Sequence, residues 1–277
     1  MTGRERLRHP IFLAALVAGV ALPGIAPAQS PAGQVAISAP IAAAVADARR
    51  KPANRARDQY RHPAETLSFF GIAPGQTVVE IWPGAGWYTE ILAPLLKEKG
   101  HYIAAAQPPG NYRKATETLV ASDPDRFGKV EITTFDLKSP GDIAPPGSAD
   151  AVLTFRNVHN MLMSGEDSAK AAFASFFRAL KPGGVLGVVD HRLPEDRDSA
   201  LEKSSGYLKQ STIVRLAESA GFRLVGGSDV NANPRDKADY PDGVWTLPPT
   251  LRKGEVDRDK YLAIGESDRM TLKFVKP

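Results

Sequence analysis

The sequence predicts an α/β fold: a mostly parallel sheet of seven strands with helices on both faces. Three observations predict it. Short β-branched or apolar runs recur at 77–81, 101–106, 130–135, 149–155, 185–189, 222–226 and 270–275. Stretches of helical composition lie between them at 88–97, 114–120, 171–180 and 212–220. Most of the strand runs are nearly continuous in apolar residues, as parallel strands buried on both faces must be. Strands and helices alternating at this spacing build βαβ units. Ligands on such sheets bind beyond the carboxyl ends of the strands, near the point where the strand order reverses.

Each element has a local reason. Residues 41–60 are rich in Ala and Arg, and Pro52 divides them, so two short helices are expected there. His62-Pro63 opens another short helix that ends near Phe70-Gly71. The helix over 88–97 carries Pro94 and is expected to kink. Lys181-Pro182-Gly183-Gly184 stops the helix over 171–180, and Gly221 closes the one over 212–220. The stretch 231–268 is polar and Pro-rich, with helical composition only at 255–264. A long irregular segment of this kind is a lid over the binding edge or a surface excursion.

The N-terminus has a different character. Arg4, Arg6 and Arg8 precede an apolar run over 11–26, and Ala26-Pro27-Ala28 offers the small residues of a signal-peptidase site. The run is shorter than the about 20 residues that span a bilayer and contains Pro23. The expected organisation is a signal peptide at 1–28, a flexible linker at 29–40 and one domain at 41–277, with 231–268 as a long insertion before the last strand. The product would be periplasmic or secreted, with no stable membrane insertion after cleavage. Removing 1–28 takes away three Arg and one Glu and lowers the net charge from +4 to +2. That gives no electrostatic case for nucleic acid. The absence of cysteine excludes disulfides, thiolate metal sites and a cysteine nucleophile.

The most informative stretch is Thr77-Val-Val-Glu-Ile-Trp-Pro-Gly-Ala-Gly-Trp-Tyr-Thr89, a strand, a glycine turn and a helix start. Gly84 and Gly86 allow backbone angles closed to other residues and let a ligand approach main-chain amides. A helix starting near Trp87 would aim free N–H groups at that space.

This segment resembles motif I of class I S-adenosylmethionine-dependent methyltransferases. Phe135-Asp136-Leu137, the run from Asp150 to His159 and the run from Leu180 to Asp190 resemble later segments of that family in order and spacing. The resemblance covers about residues 60–230 and is nearest to a branch of exported proteins described as predicted methyltransferases. It implies a Rossmann-like sheet of the class I methyltransferase type and S-adenosyl-L-methionine as cofactor. It places Glu80 and Trp82 near the methionine end, Gly84, Ala85 and Gly86 along the cofactor backbone, and Gln107 at the ribose. It also places Asp136 and the Leu137 amide at adenine, and Arg156 and Asn157 beside the sulfonium. Asp150 reads as a turn residue.

Two positions depart from the family pattern. Trp82 stands where the first motif glycine is expected, and Gln107 follows the second strand where a carboxylate is expected to bind both ribose hydroxyls. A neutral amide bonds hydroxyls less strongly than a carboxylate does, by an amount equivalent to roughly tenfold in affinity.

His159 and His191 follow the fourth and fifth strands and are candidate catalytic bases, since imidazole titrates near neutrality. The alternative for each is a hydrogen-bonded or surface residue. No local ligand spacing supports a metal site, and a hydrolase elbow of the Gly-x-Ser-x-Gly form is absent. The leading expectation is an exported methyltransferase acting on a small or medium acceptor. The alternative is a non-catalytic or repurposed ligand-binding protein on the same fold. Export away from the cytoplasmic cofactor supply, Trp82 and the missing ribose carboxylate all motivate it. A metal-assisted hydrolase using Asp190 and His191 is a third reading.

Overall fold

The computed structural model describes residues 1–2 and 36–277, so the signal peptide expected at 1–28 lies almost wholly outside the described residues. Four short helices come first: α1 (Ala39–Ala46), α2 (Pro52–Arg55), α3 (Asp58–Arg61) and α4 (Pro63–Phe70). The helix α1 begins inside the stretch expected to be a linker. Pro40 sits in its first turn, where the missing N–H has no intrahelical partner to lose. The alternating part follows as β1 (Thr77–Ile81), α5 (Thr89–Leu96), β2 (His101–Ala106), α6 (Asn111–Ser122), α7 (Pro124–Phe127), β3 (Glu131–Thr134) and β4 (Ala149–Phe155). The chain ends with α8 (Val158–Met163), α9 (Glu166–Ala179), β5 (Leu180–His191), α10 (Gln210–Ser219), β6 (Arg223–Ser228), α11 (Arg258–Ile264) and β7 (Arg269–Val275).

The sheet order is β3-β2-β1-β4-β5-β7-β6. All pairs among the first five strands are parallel, and β7 runs antiparallel to both β5 and β6. Order reverses between β1 and β4, so the crevice expected of a doubly wound sheet opens there. Because β7 is antiparallel, its first residue Arg269 pairs with His191 at the carboxyl end of β5.

Period-two alternation divides the core between the two faces of the sheet. Val79, Ile81, Ile103 and Ala105 pack with Phe173 and Phe176 of α9 on one face. Val78, Tyr102 and Ala104 pack with Ile91, Leu92 and Leu96 of α5 on the other. Glu80 shares the second face by the same alternation and is buried there.

Two local details show how the chain copes with its own breakers. Pro94 lies inside α5, where a proline costs about 3 kcal/mol by removing a hydrogen bond and crowding the preceding turn. The carbonyl it orphans, that of Glu90, accepts instead from Arg126 Nη2 at 2.9 Å. The expected turn at 181–184 is instead the start of a 12-residue β5. Gly183 takes φ +76° there, and its N–H bonds the Lys276 carbonyl, so the turn chemistry becomes an irregular strand start.

The segment 231–268 lies along the carboxyl end of β5 and the amino end of β7. Arg192 Nε bonds Asp268 at 2.8 Å, the Asn233 amide nitrogen donates to the Ile264 and Glu266 carbonyls, and the Tyr207 hydroxyl bonds Asp236. Its helix starts at Arg258 rather than 255, because Asp257 before it adopts φ +53°. Among the described residues no helix is long and apolar enough to cross a membrane.

Candidate functional site

A cleft of about 690 Å³ opens at the carboxyl ends of β1 and β4. Its floor is the turn that follows β1. Trp82 leaves the strand at φ +49°, and Arg156 leaves β4 at φ +59°. Left-handed backbone at a non-glycine residue costs roughly 1–2 kcal/mol. Each is held by a specific bond: the Arg156 N–H donates to Val189 at 2.7 Å, and Asn157 Nδ2 donates to the Ile81 carbonyl at 3.0 Å. Two strained residues at adjacent strand ends mark this edge as the place to look for function.

Within the turn the two glycines do different work. A Cβ at Gly86 would meet Leu119 Cδ2 at 2.0 Å, so this position is closed by the protein itself. A Cβ at Gly84 would meet nothing within 4 Å, so this position leaves main chain open to the cleft. The expected helix start at Trp87 comes two residues later, at Thr89. Trp87 and Tyr88 are buried, Tyr88 stacking on Phe155 with ring centroids 3.6 Å apart.

Glu80 lies on the cleft wall. Its Oε2 accepts from the Tyr102 and Thr89 hydroxyls. Burial pushes its carboxyl up to about 7, against the opposing pull of those two hydrogen bonds. Gln107 lines the same cleft, and its Oε1 is a buried acceptor without a partner among the described residues.

Of the residues predicted from sequence, the cleft brings together Glu80, Trp82, Gly84, Ala85, Gln107, Arg156 and Asn157. Gly86 supports the turn from beneath. Asp136 and Leu137 stand outside the lining, and Trp82 is the physical reason. Its indole lies against Phe135 with centroids 5.6 Å apart and donates Nε1–H to the Phe135 carbonyl at 2.9 Å, bridging the ends of β1 and β3. Trp82 therefore reaches toward the β3 end. Asp136 turns back to accept from the Lys138 N–H at 2.9 Å. Asp150 is a clasp at the opposite edge, accepting from the Thr77 N–H and Lys181.

His159 and His191 are brought together but lie beside the cleft rather than on it. Both are buried, with ring centroids 5.1 Å apart. Between them Asp190 is fully buried. Its Oδ1 accepts from His159 Nδ1 and the His191 N–H, both at 2.8 Å, and its Oδ2 accepts from the Val158 and His159 N–H groups. Asp190 thus caps α8, whose own N-cap Asn157 makes no side-chain cap. His191 Nδ1 bonds the Ser267 hydroxyl at 2.6 Å. Burial first, then the charges of its neighbours, hold His191 well below the usual imidazole range. His159, Asp190 and His191 are close enough to share a metal ion. However, the carboxylate oxygens already accept four N–H groups, which the metal would have to displace.

The sequence reading missed the basic wall. Arg57 and Arg61 reach the cleft from the N-terminal helices, and Arg156 faces them from β4. Glu266, from the long insertion, is buried and pairs with Arg57 at 2.6 Å, Arg61 at 3.0 Å and Arg269 at 3.1 Å. Burial alone would raise its carboxyl, but Arg61, Arg269 and Arg57 outweigh that and hold it at about 2. The available signal was the four-residue spacing of Arg57 and Arg61.

No family model matches the sequence. Among curated proteins, the arsenite methyltransferase of Halobacterium salinarum is 24% identical over 166 residues, covering 57% of this chain and 40% of that protein. The chain thus matches less than half the length of that relative. Among solved structures, a SAM-dependent methyltransferase from Aquifex aeolicus superposes with a TM-score of 0.55 at 17% identity, over 82% of this chain and 95% of that one. The [4+2]-cyclase SpnF superposes with a TM-score of 0.54 at 16% identity, over 81% of each chain. The architecture is therefore the Rossmann-like fold of class I methyltransferases, and that fold also carries a cyclase.

Proposed function

We propose that this protein is an S-adenosylmethionine-dependent methyltransferase acting on a small or medium acceptor, and that it works outside the cytoplasm. The observation that carries the reading is the cleft itself. It opens at the reversal of strand order, over a turn that leaves main chain bare at Gly84, with the orphaned Gln107 Oε1 on its wall. Those features suit a ligand with a hydroxyl-bearing ribose and a flexible chain. The adenine contacts expected at Asp136 and Leu137 are not part of the fit, so the base would be held by other cleft residues such as Tyr112 and Ala115 of α6.

When bound, S-adenosylmethionine supplies an electrophilic methyl group on a sulfonium. The chain's contribution is to hold and align. Gly84 and Ala85 would accommodate the cofactor along the turn, and Gln107 would accept from a ribose hydroxyl. Asn157 keeps the β1 turn in place through its bond to the Ile81 carbonyl. Glu80, titrating near neutrality, can hold or release a proton on the cleft wall, whereas His159 and His191 have no place on that wall. Alignment of the acceptor supplies much of the acceleration in such a transfer. Arsenite, the acceptor named for the archaeal relative, is a poor match for this sequence, which has no cysteine to bind a thiophilic centre.

Calorimetric titration with S-adenosylmethionine and S-adenosylhomocysteine tests the reading. Dissociation constants in the micromolar range support it. No heat of binding at millimolar ligand sinks it. Export is tested separately, by finding the mature N-terminus at Gln29 in protein recovered outside the cytoplasm.

A further inference from the structure

We infer that Arg57, Arg61 and Arg156 form a receptor for an oxyanion, and that the acceptor carries a carboxylate or phosphoryl group. The inference rests on the methyl-transfer reading for the word acceptor, but the oxyanion site stands on its own observations.

All three arginines line the cleft. Arg61 is nine-tenths buried or more, with its side chain 5% exposed, and its Nη2 has no partner among the described residues. Arg57 Nη2 is likewise buried and without a partner. The Arg156 guanidinium makes no hydrogen bond to any described residue and is opposed only by charges at a distance. Arg269, just behind them, is buried and adds a fourth cation.

The negative charge available to this group is too small. Among the described residues Glu266 is the one carboxylate in direct contact, and it is shared among Arg57, Arg61 and Arg269. Asp190 is near Arg156, but its oxygens are occupied by the N–H groups of α8 and of His159 and His191. Glu80, whose carboxyl titrates near neutrality, is committed through Oε2 to Tyr102 and Thr89. Buried guanidinium N–H groups without acceptors are unfavourable, and the protein keeps two of them, Arg57 Nη2 and Arg61 Nη2, on residues that line one cleft. The forked donors of Arg match the paired oxygens of a carboxylate or phosphoryl group.

The wall also fixes where the anion sits. Arg61 packs over the Trp87 ring at 4.7 Å, which restrains its guanidinium at the cleft lining. Tyr88 and Phe155 are stacked beside it. A ligand anchored there by its oxyanion lies between the ends of β1 and β4 while Gln107 stays free for a second ligand.

A carboxylate reaching this wall could belong to the cofactor's amino-acid end instead of the acceptor, and the test separates them. Benzoate, inorganic phosphate and S-adenosylhomocysteine are titrated calorimetrically into the full chain, into Arg156→Met, and into the exposed control Arg215→Met. At least one oxyanion is expected to bind, with a Kd that rises about tenfold in Arg156→Met and stays unchanged in the control. That oxyanion is expected to bind as well when S-adenosylhomocysteine is saturating. Competition between the two, with S-adenosylhomocysteine about tenfold weaker in Arg156→Met and 5′-methylthioadenosine unaffected, assigns the arginines to the cofactor and overturns an anionic acceptor. Failure of both oxyanions to bind at about 10 mM overturns the site altogether. Oxyanion binding without any S-adenosylhomocysteine binding sinks methyl transfer and leaves the oxyanion site standing. Should Arg156→Met not fold, phenylglyoxal labelling of the unmodified chain gives the same answer. Arg156 should be labelled, and benzoate or phosphate should protect it; labelling without protection counts against the site.

Discussion

Two polar neighbourhoods share the carboxyl edge of this sheet, and they have opposite logic. At the end of β5, Asp190 is completely buried and its oxygens are fully engaged by N–H groups from α8, His159 and His191. At the ends of β1 and β4, a few residues away, Gln107 Oε1, Arg57 Nη2 and Arg61 Nη2 are buried and unengaged. A satisfied buried group fixes a fold, and an unsatisfied one that faces open space awaits a ligand. Titratable residues at a strand end are therefore weak evidence of chemistry until their partners are counted. The histidines fall on the structural side of that comparison, and the arginines fall on the other.

The strongest way to break the comparison is to substitute both sides. Asp190→Ala leaves the first N–H groups of α8 and the His159 ring without an acceptor inside the core. Removing one partner from a buried charged network costs about 3–5 kcal/mol. Urea denaturation should show that loss, whereas Arg156→Met, which removes no internal bond, should move stability by less than about 1 kcal/mol. Equal losses from the two variants would erase the distinction.

The glycine turn gives a second contrast. Gly86→Ala drives a Cβ into Leu119 at a backbone angle of φ +80°, and an overpacked, strained site costs about 2–3 kcal/mol. Gly84→Ala meets no atom and should cost about 1 kcal/mol for its left-handed angle alone. The new methyl at Gly84 would instead project toward the ligand, so S-adenosylhomocysteine binding should fall about tenfold with the fold intact. Thermal melts and calorimetry on the two variants separate these effects. A Gly84→Ala protein with unchanged affinity would move the ligand off the turn.

Much of the architecture was legible because the sheet depends on local signals. The β-branched run at Thr77 to Ile81, the glycines after it and the apolar run that ends at Asp190 each specify an element without help from distant residues. The helix α8 escaped because Val158 to Met163 is short, and its N-terminal cap comes from Asp190, more than thirty residues away. The site was legible where it follows the β1 turn and illegible where it is assembled across the chain. Glu266 joins Arg57 and Arg61 from sequence separations of 209 and 205 residues, which no periodicity reveals. Trp82 was visible as a departure, but its direction depends on the Phe135 carbonyl of a different strand.

Two carboxyls extend the comparison to pH. Glu80 is held at about 7, above the ordinary 4.5, so the folded chain keeps that proton longer than the unfolded chain does. Its contribution is fully present below about pH 4.5 and is lost as pH rises through 7, by about 3 kcal/mol. Glu266 is held at about 2, so its contribution is present above about pH 4.5 and is lost as pH falls toward 2. Glu80→Gln should therefore abolish the decline in urea midpoint between pH 5 and 8 and make the variant the more stable protein at pH 8. A decline that persists in the variant would show that Glu80 titrates in the ordinary range.

The smallest predicted change asks whether the unengaged side of the comparison can be improved. Gln107 presents a neutral acceptor where a charged one would bond hydroxyls more strongly. Gln107→Asp shortens the side chain but supplies charge, and S-adenosylhomocysteine affinity should rise by up to about tenfold, or about 1.4 kcal/mol. Because the basic wall lies across the same cleft, the added carboxylate should also weaken benzoate or phosphate binding modestly, and added salt should shrink that second effect. A gain for the nucleoside with a slight loss for the oxyanion fits two ligands in one cleft, each with its own set of unpaired groups. A loss for both, in a variant that melts like the parent, would place the ribose elsewhere and require a different orientation for everything bound above the β1 turn.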